Sequence, residues 1–179
     1  MHLFEQHYHC IIKPDFISKF NYKNIYSIPK ITKIILNFGI KEVNFKVLLS
    51  LITALELISS QKAILTQSST SNISLKIRKG APVGCKVTLR KAAMYSFFYK
   101  LILIILPSIK QFDGFNFKPQ TTEFRAFSFK LADILNFYEI ESQYELFKST
   151  PQLDLSIVTD CNNKSELRFL LTSFRFPIK

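Results

Sequence analysis

Fifteen residues, Lys76 to Arg90 (KIRKGAPVGCKVTLR), constrain this chain more than any other stretch. They read as two short strands joined by a connection bearing glycine and proline. Around the first strand, Ile73, Leu75 and Ile77 point one way and Ser74, Lys76 and Arg78 the other. On the second, Cys85, Val87 and Leu89 alternate with Lys86, Thr88 and Arg90. Successive side chains of a strand lie on opposite faces. Each strand therefore has one apolar face for a core and one cationic face for solvent. Like charges set side by side cost free energy unless an anion neutralises them. A row of cations on a sheet face points to phosphate.

The totals agree with that reading. A formal net charge of +11 favours a polyanionic partner, nucleic acid first and an anionic membrane surface second. At 179 residues and 47% hydrophobic, the chain is expected to fold as one domain over 1–179. An N-terminal helical segment, 1–28, is expected to pack on it. It is too apolar for a disordered basic tail. Lysine far outnumbers arginine, phenylalanine is abundant at 18 and glycine scarce at 4. Phe, Ile, Lys and Asn have AT-rich codons, so this skew reflects the source genome rather than chemistry.

Cys10, Cys85 and Cys161 are far apart and odd in number. That argues against a disulfide framework and for a reducing compartment. Cys85 and Cys161 lie in apolar strand-like stretches and read as small buried hydrophobes. The N-terminus, MHLFEQHYHC, lacks both the apolar block of a secretory signal and the arginine of a transit peptide. Ala92 to Ile109 resembles a membrane span in composition. Lys100 interrupts it, and the charge-free run from Leu101 to Ile109 is far below the roughly 20 residues a crossing needs. A buried helix is expected there, with no membrane span.

Along the chain, Leu3–Phe20 reads as a helix interrupted near Pro14, and Asn21–Pro29 as a connector. Ile31–Ile40 is a β-branched strand ended by Gly39. Val43, Val47, Leu48, Leu51, Leu55 and Ile58 form a helical stripe, and Ala63–Gln67 a short strand. After the basic pair, Met94, Phe97, Phe98, Leu101, Ile102 and Ile105 mark a second long helix, stopped by Pro107. Gln111–Thr122 is a loop, Glu123–Leu131 a strand, Asn136–Tyr144 undecided and Leu153–Thr159 a strand. Asn163 and Glu166 suggest a capping box that opens a last helix, with Leu167, Leu170, Leu171 and Phe174 inward. Mixed element order and tight strand connections favour an α+β fold, a mostly antiparallel sheet with helices packed on one side.

No catalytic constellation is evident. His2, His7, His9 and Cys10 match no structural zinc spacing. Nucleophile elbow, Walker and dinucleotide signatures are missing, and KGAPVG is a turn between strands rather than a phosphate loop opening a helix. Asp133, Glu139, Glu141 and Glu145 read as a solvated face rather than a carboxylate pair. Cations interleaved with hydroxyls and amides do suit RNA: Lys and Arg hold phosphates, while Asn, Gln, Thr and Ser reach 2′-hydroxyls and base edges. Asn37, Gln61 and Thr88 are such groups, each near basic residues.

At this point the chain resembles a known family, the universal large-subunit ribosomal protein five. The matching pieces are FNY with IPKITKIILNFGIKE (Phe20–Glu42), ISSQKAILTQS (Ile58–Ser68), Lys76–Phe115, LDLSIVT (Leu153–Thr159) and LLTSFRFPIK (Leu170–Lys179). The resemblance implies a structural ribosomal protein with no catalysis, cofactor or metal. Its implied partners are 5S rRNA in the central protuberance, large-subunit rRNA, peptidyl-site tRNA and other large-subunit proteins. A small-subunit head protein across an intersubunit bridge completes the set. Carried over by motif, Lys33, Asn37, Gln61, Lys62, Lys86, Thr88 and Arg90 would bind rRNA. Ser71, Asn72, Ser74, Lys76, Arg78 and Lys79 would form the tRNA-facing loop.

Three positions depart from the family pattern. Lys41 and Ser74 stand where it has glycine, and its glycine-rich stretch is shortened to Lys118–Thr122. The match runs to the N-terminus without a leader. With the AT-rich bias, this implies translation inside an organelle, a mitochondrion before a plastid or an AT-rich bacterium. The competing reading is a basic membrane-associated protein anchored by 92–109.

Overall fold

The computed structural model describes residues 3–40, 45–110, 112–115, 125–148 and 150–179. Five strands form one mostly antiparallel sheet in the order β2-β3-β1-β5-β4. They are β1 (Ile31–Gly39), β2 (Ile64–Gln67), β3 (Pro82–Leu89), β4 (Ala126–Leu131) and β5 (Leu153–Thr159). The fold is α+β, as expected. The chain divides into two compact units. The first holds residues 1–34, 90–127 and 156–179, the second residues 35–89 and 128–155.

In the first unit Leu3–Lys19 is continuously helical, as α1 (Leu3–His7), a π-helical turn (Tyr8–Ile12) and α2 (Lys13–Lys19), and the helical segment expected to reach residue 28 ends at the extended Phe20. The expected interruption at Pro14 does not occur, and the reason is local. Proline lacks an N–H, and its ring crowds the carbonyl four residues back. Here the preceding turn is wound wider, with the Lys13 N–H donating to the Tyr8 carbonyl five residues earlier. Backbone angles at His7, Ile12 and Lys13 stay right-handed helical. The same device recurs in α4 (Lys91–Lys100), which runs on through a π-helical turn (Leu101–Ile105) into α5 (Leu106–Ser108). Leu106 N–H donates to Leu101 O, and the helix ends one residue beyond Pro107 instead of at it. Isolated π turns of this kind relieve a strained helical register.

The apolar stripe of α4 and its π turn is buried as expected at Met94, Phe97, Phe98, Leu101, Ile102 and Ile105. Lys91–Ser108 is long and apolar enough to cross a membrane by those two measures alone, at a mean hydropathy of 1.2. In this fold its apolar face is spent on the protein interior. An aromatic cluster uses much of the phenylalanine surplus. Phe98 meets Phe174 edge-on at 5.3 Å, Phe176 stacks on Phe115 at 5.3 Å, and Phe127 meets Phe176 at 5.7 Å. Such offset and edge-on pairs add to the area they bury. The N-terminal helices are tied down by the Tyr8 hydroxyl, which donates to Pro29 O at 3.0 Å. The last helix, α8 (Lys164–Ser173), begins at the capping box read from the sequence. Glu166 Oε2 accepts from the backbone N–H groups of Asn162 and Asn163 at 3.0 and 3.3 Å.

In the second unit, α3 (Phe45–Ser59) lies against β3. Its inward stripe, Leu48, Leu51, Ala54, Leu55 and Ile58, is buried. The undecided segment before β5 forms two short helices, α6 (Tyr138–Glu141) and α7 (Tyr144–Phe147), which fix Ile140 and Phe147 in the core. Val43, Lys41, the start of the expected strand at 123 and the shortened stretch 118–122 lie outside the described residues.

Candidate nucleic-acid interface

The alternation read from β3 is present in three dimensions. Cys85, Val87 and Leu89 are buried to 0–1% exposure, while Lys86 is exposed and Thr88 half-buried on the opposite face. The neighbouring strand β1 alternates in the same sense. Ile34, Leu36 and Phe38 are buried, and Lys33, Ile35 and Asn37 are half-exposed. Within the second unit the outward faces of β1 and β3 thus carry the Asn37 amide, the Thr88 hydroxyl and the Lys86 ammonium. None of β1, β2 and β3 contains a carboxylate.

β2 completes this face from the other side of β3. It pairs antiparallel, with Ile64 opposite Lys86 and Thr66 opposite Gly84. Partners in a ladder share a face, so the Thr66 hydroxyl stands in the row next to Lys86. Thr66 was not singled out from the sequence. The signal that finds it is the register of β2 on β3, which no local pattern contains. Pro82 opens β3, and the register shifts between Thr66 and Gln67. A strand's first position and a bulge are the places where a missing N–H is tolerated. KGAPVG is accordingly less of a turn than expected: Pro82 and Gly84 already belong to the strand.

Gln61 and Lys62 sit where α3 ends. Ser60 takes a left-handed backbone, φ 53°, and its N–H donates to Glu56 O at 2.8 Å. Ser59 Oγ donates to Leu55 O at 2.6 Å, the Gln61 N–H donates to that same hydroxyl at 3.3 Å, and the Ala63 N–H donates to Glu56 Oε1 at 3.1 Å. These bonds close the helix and leave Gln61 and Lys62 exposed beside an open notch lined by Glu56, Ser60, Gln61 and Lys62. The notch lies at the negative end of the helix dipole, which favours a cation such as Lys62 over a bound anion. Gln61 is therefore the member suited to a hydrogen bond, and Lys62 the one suited to reach outward to phosphate.

Lys33 and Arg90 belong to the first unit. Lys33 is half-buried on β1. Arg90 is exposed, follows the last residue of β3 and stands as the extended residue before α4, where its side chain makes no capping bond.

The loop from Ser68 to Ala81 differs from the sequence reading. Ile73–Arg78 is not a strand. Residues 73–76 form a turn, closed by reciprocal backbone bonds between Asn72 and Ile77 at 2.9 and 3.0 Å. Asn72 Oδ1 accepts from the N–H groups of Ser74 and Leu75 at 3.0 and 3.4 Å, and Lys76 is left-handed at φ 53°. Asparagine supports such turns by satisfying backbone donors locally. Of the three alternating apolar residues only Ile77 is buried; Ile73 is 93% exposed and Leu75 49%. Ser68 N–H donates to Ala81 O and Gly80 N–H to Ser68 O, each at 2.9 Å, which fastens the base. The arm from Ser71 to Asn72 is uncharged and the returning arm bears Lys76, Arg78 and Lys79, all exposed. Ser71 and Ser74 are exposed as well.

Chemistry of other kinds has little footing. Cys85 and Cys161 are buried, and Cys10 is exposed. Burial pushes the Cys85 thiol up to about 12 and the Cys161 thiol up to about 11, so neither is a thiolate at neutral pH. Among the described residues no group of three or more His, Cys, Asp and Glu is placed to hold a metal ion.

Comparison with known proteins gives this geometry its context. Residues 82–178 match the C-terminus of the ribosomal L5 family. Large ribosomal subunit protein uL5m of Reclinomonas americana is 42% identical over 180 residues, spanning 99% of this chain and 98% of its own length. Large ribosomal subunit protein uL5 of Thermotoga maritima is 40% identical over 171 residues, 94% of this chain and 91% of its own. The corresponding protein of Methylococcus capsulatus is 34% identical over 178 residues, 98% and 97%. The chain is a structural component of the large ribosomal subunit, not an enzyme. It belongs to the ribosomal L5 family.

Proposed function

We propose that this chain holds 5S rRNA in the central protuberance of a mitochondrial large subunit, with the outward face of β1, β3 and β2 as its main RNA surface. The observation that carries the proposal is the paired alternation. Adjacent strands turn Asn37, Lys86 and Thr88 to one side while their apolar neighbours are buried on the other. Paired strands fix the backbone spacing of these groups before binding, which reduces the entropic penalty of association. Lys33, Lys62, Lys86 and Arg90 would neutralise phosphates, while Asn37, Gln61 and Thr88 fix register on sugar and base edges. Ser71–Lys79 would meet peptidyl-site tRNA, its cationic arm against the RNA backbone. Contacts to large-subunit rRNA, to other large-subunit proteins and to a small-subunit head protein complete the assembly. The mitochondrial setting rests on the uL5m relative and on the AT-rich composition.

The test compares 5S rRNA with bulk RNA. Asn37→Ala with Thr88→Ala should weaken 5S rRNA binding by about tenfold or more, two lost hydrogen bonds at about 1 kcal/mol each. Binding to unrelated RNA should barely change. Equal losses on both would remove the positioning role from these two residues.

A further inference from the structure

One concave surface of the first unit has no part in the RNA reading. It is a half-enclosed groove of about 350 Å³ between α1, the helix formed by α4 and its π turn, and the end of α8. Leu3, His7, Tyr99, Leu103, Phe174 and Arg175 are among its lining residues, and most of its wall is apolar. Leu3 and Leu103 are 63% and 52% exposed, although both border a cavity that would bury them if filled. His7 Nε2 lies 3.3 Å from Ser173 O, within hydrogen-bond reach, which holds α1 to the end of α8. Apolar clefts with a few convergent polar groups are the usual form of a binding site. The charge in the groove is one-sided. No carboxylate is among its lining residues, and the exposed Arg175 guanidinium is one of them.

Arg175 also sits where a side chain is unwelcome. Its backbone is left-handed, φ 58°. Its N–H donates to Thr172 O at 2.8 Å, and the Phe176 N–H donates to Leu171 O at 2.9 Å. That pair of bonds closes a helix around a residue that is usually glycine. An arginine here is strained where glycine is not, and strained residues concentrate at binding sites.

We propose that this groove docks a segment of another large-subunit protein, which seats a large apolar side chain against Leu3 and Leu103 and pairs a carboxylate with Arg175. The proposal rests on the assembly reading above and names one of its protein contacts, independently of 5S rRNA. The chemistry of the groove selects this occupant. An RNA backbone would bring phosphates against exposed leucines, with one guanidinium to receive them. A lipid surface has no projecting side chain to fill a half-enclosed cavity. An apolar anchor beside an acidic group matches both the wall and the charge, as at the centre of protein interfaces.

The experiment puts photoreactive p-benzoylphenylalanine in place of Leu103, and separately in place of Leu3, in the full chain within intact large subunits. Crosslinked products are sequenced by mass spectrometry, and the isolated wild-type and Arg175→Gly chains are melted in parallel. Both positions should crosslink to the same protein, at a stretch where Asp or Glu neighbours a large apolar residue. Adding Arg175→Gly should cut the yield about fivefold, the loss of one charge-assisted bond. The same substitution should leave melting unchanged or raise it, because glycine suits the left-handed backbone. Crosslinks only to rRNA or lipid, to a protein stretch without a carboxylate, or to nothing from either position overturn the proposal. An unchanged yield with Arg175→Gly overturns it too. So does a lower melting temperature, since the arginine would then serve the fold. Subunits that give the expected crosslink but hold no 5S rRNA would defeat the 5S reading and leave this contact standing.

Discussion

Replacing Gly84 by alanine should destabilise this protein out of proportion to the single carbon added. The new Cβ would fall well inside van der Waals contact with the Phe38 carbonyl oxygen. That oxygen cannot swing aside, because it is main chain, and the Phe38 side chain is fully buried beneath it. Relief requires β1 and β3 to separate locally. Separation strains the bond from Ile40 N–H to Val83 O, 2.9 Å long, and lifts Phe38 from its packing. Overpacking of a rigid site costs about 1–3 kcal/mol, and one weakened ladder bond adds about 1 kcal/mol. The total is about 2–4 kcal/mol, and at 2–4 °C per kcal/mol for a chain of this size, melting should fall by roughly 5–15 °C. Circular dichroism during a thermal ramp reads this directly. A midpoint within about 1 °C of wild type would show that the strands yield at no cost, and would refute the close-approach account of Gly84.

Two further outcomes follow from the same geometry. If about six phosphates are neutralised by cations of the interface and loop, log affinity for 5S rRNA should fall against log salt with a slope of about −4 to −5; a nearly flat titration would contradict electrostatic clamping. A maleimide pulse at pH 7, read by mass spectrometry, should label exposed Cys10 quickly and reach Cys85 and Cys161 only as fast as the protein opens, because both thiols are buried and protonated; prompt labelling of Cys85 would place it outside the core.

Much of the fold is legible in the sequence because it rests on short-range rules. The β1 strand, the β3 alternation, the α3 stripe from Leu48 to Ile58 and the Asn163–Glu166 capping box each need only neighbours within a few residues, and each is where the reading put it. The errors fall where a local rule has a competitor. Ile73, Leu75 and Ile77 alternate like a strand, but Asn72 captures the N–H groups that a ladder would use, and the segment turns. Pro14 and Pro107 read as helix breaks, but a widened turn ahead of each supplies a bond five residues back. Nothing in either sequence marks that choice between breaking and rewinding.

The interface divides along the same line. Lys86 and Thr88 are legible because their outward direction follows from the parity of β3 alone. Thr66 is not, because its place beside Lys86 exists only once β2 has paired with β3 in one register. Glycine is the extreme case. The sequence shows four identical residues, and only their surroundings separate a backbone angle at Gly80 from a strand contact at Gly84. A residue without a side chain has no pattern of its own to read, so its function has to be inferred from what a Cβ would strike.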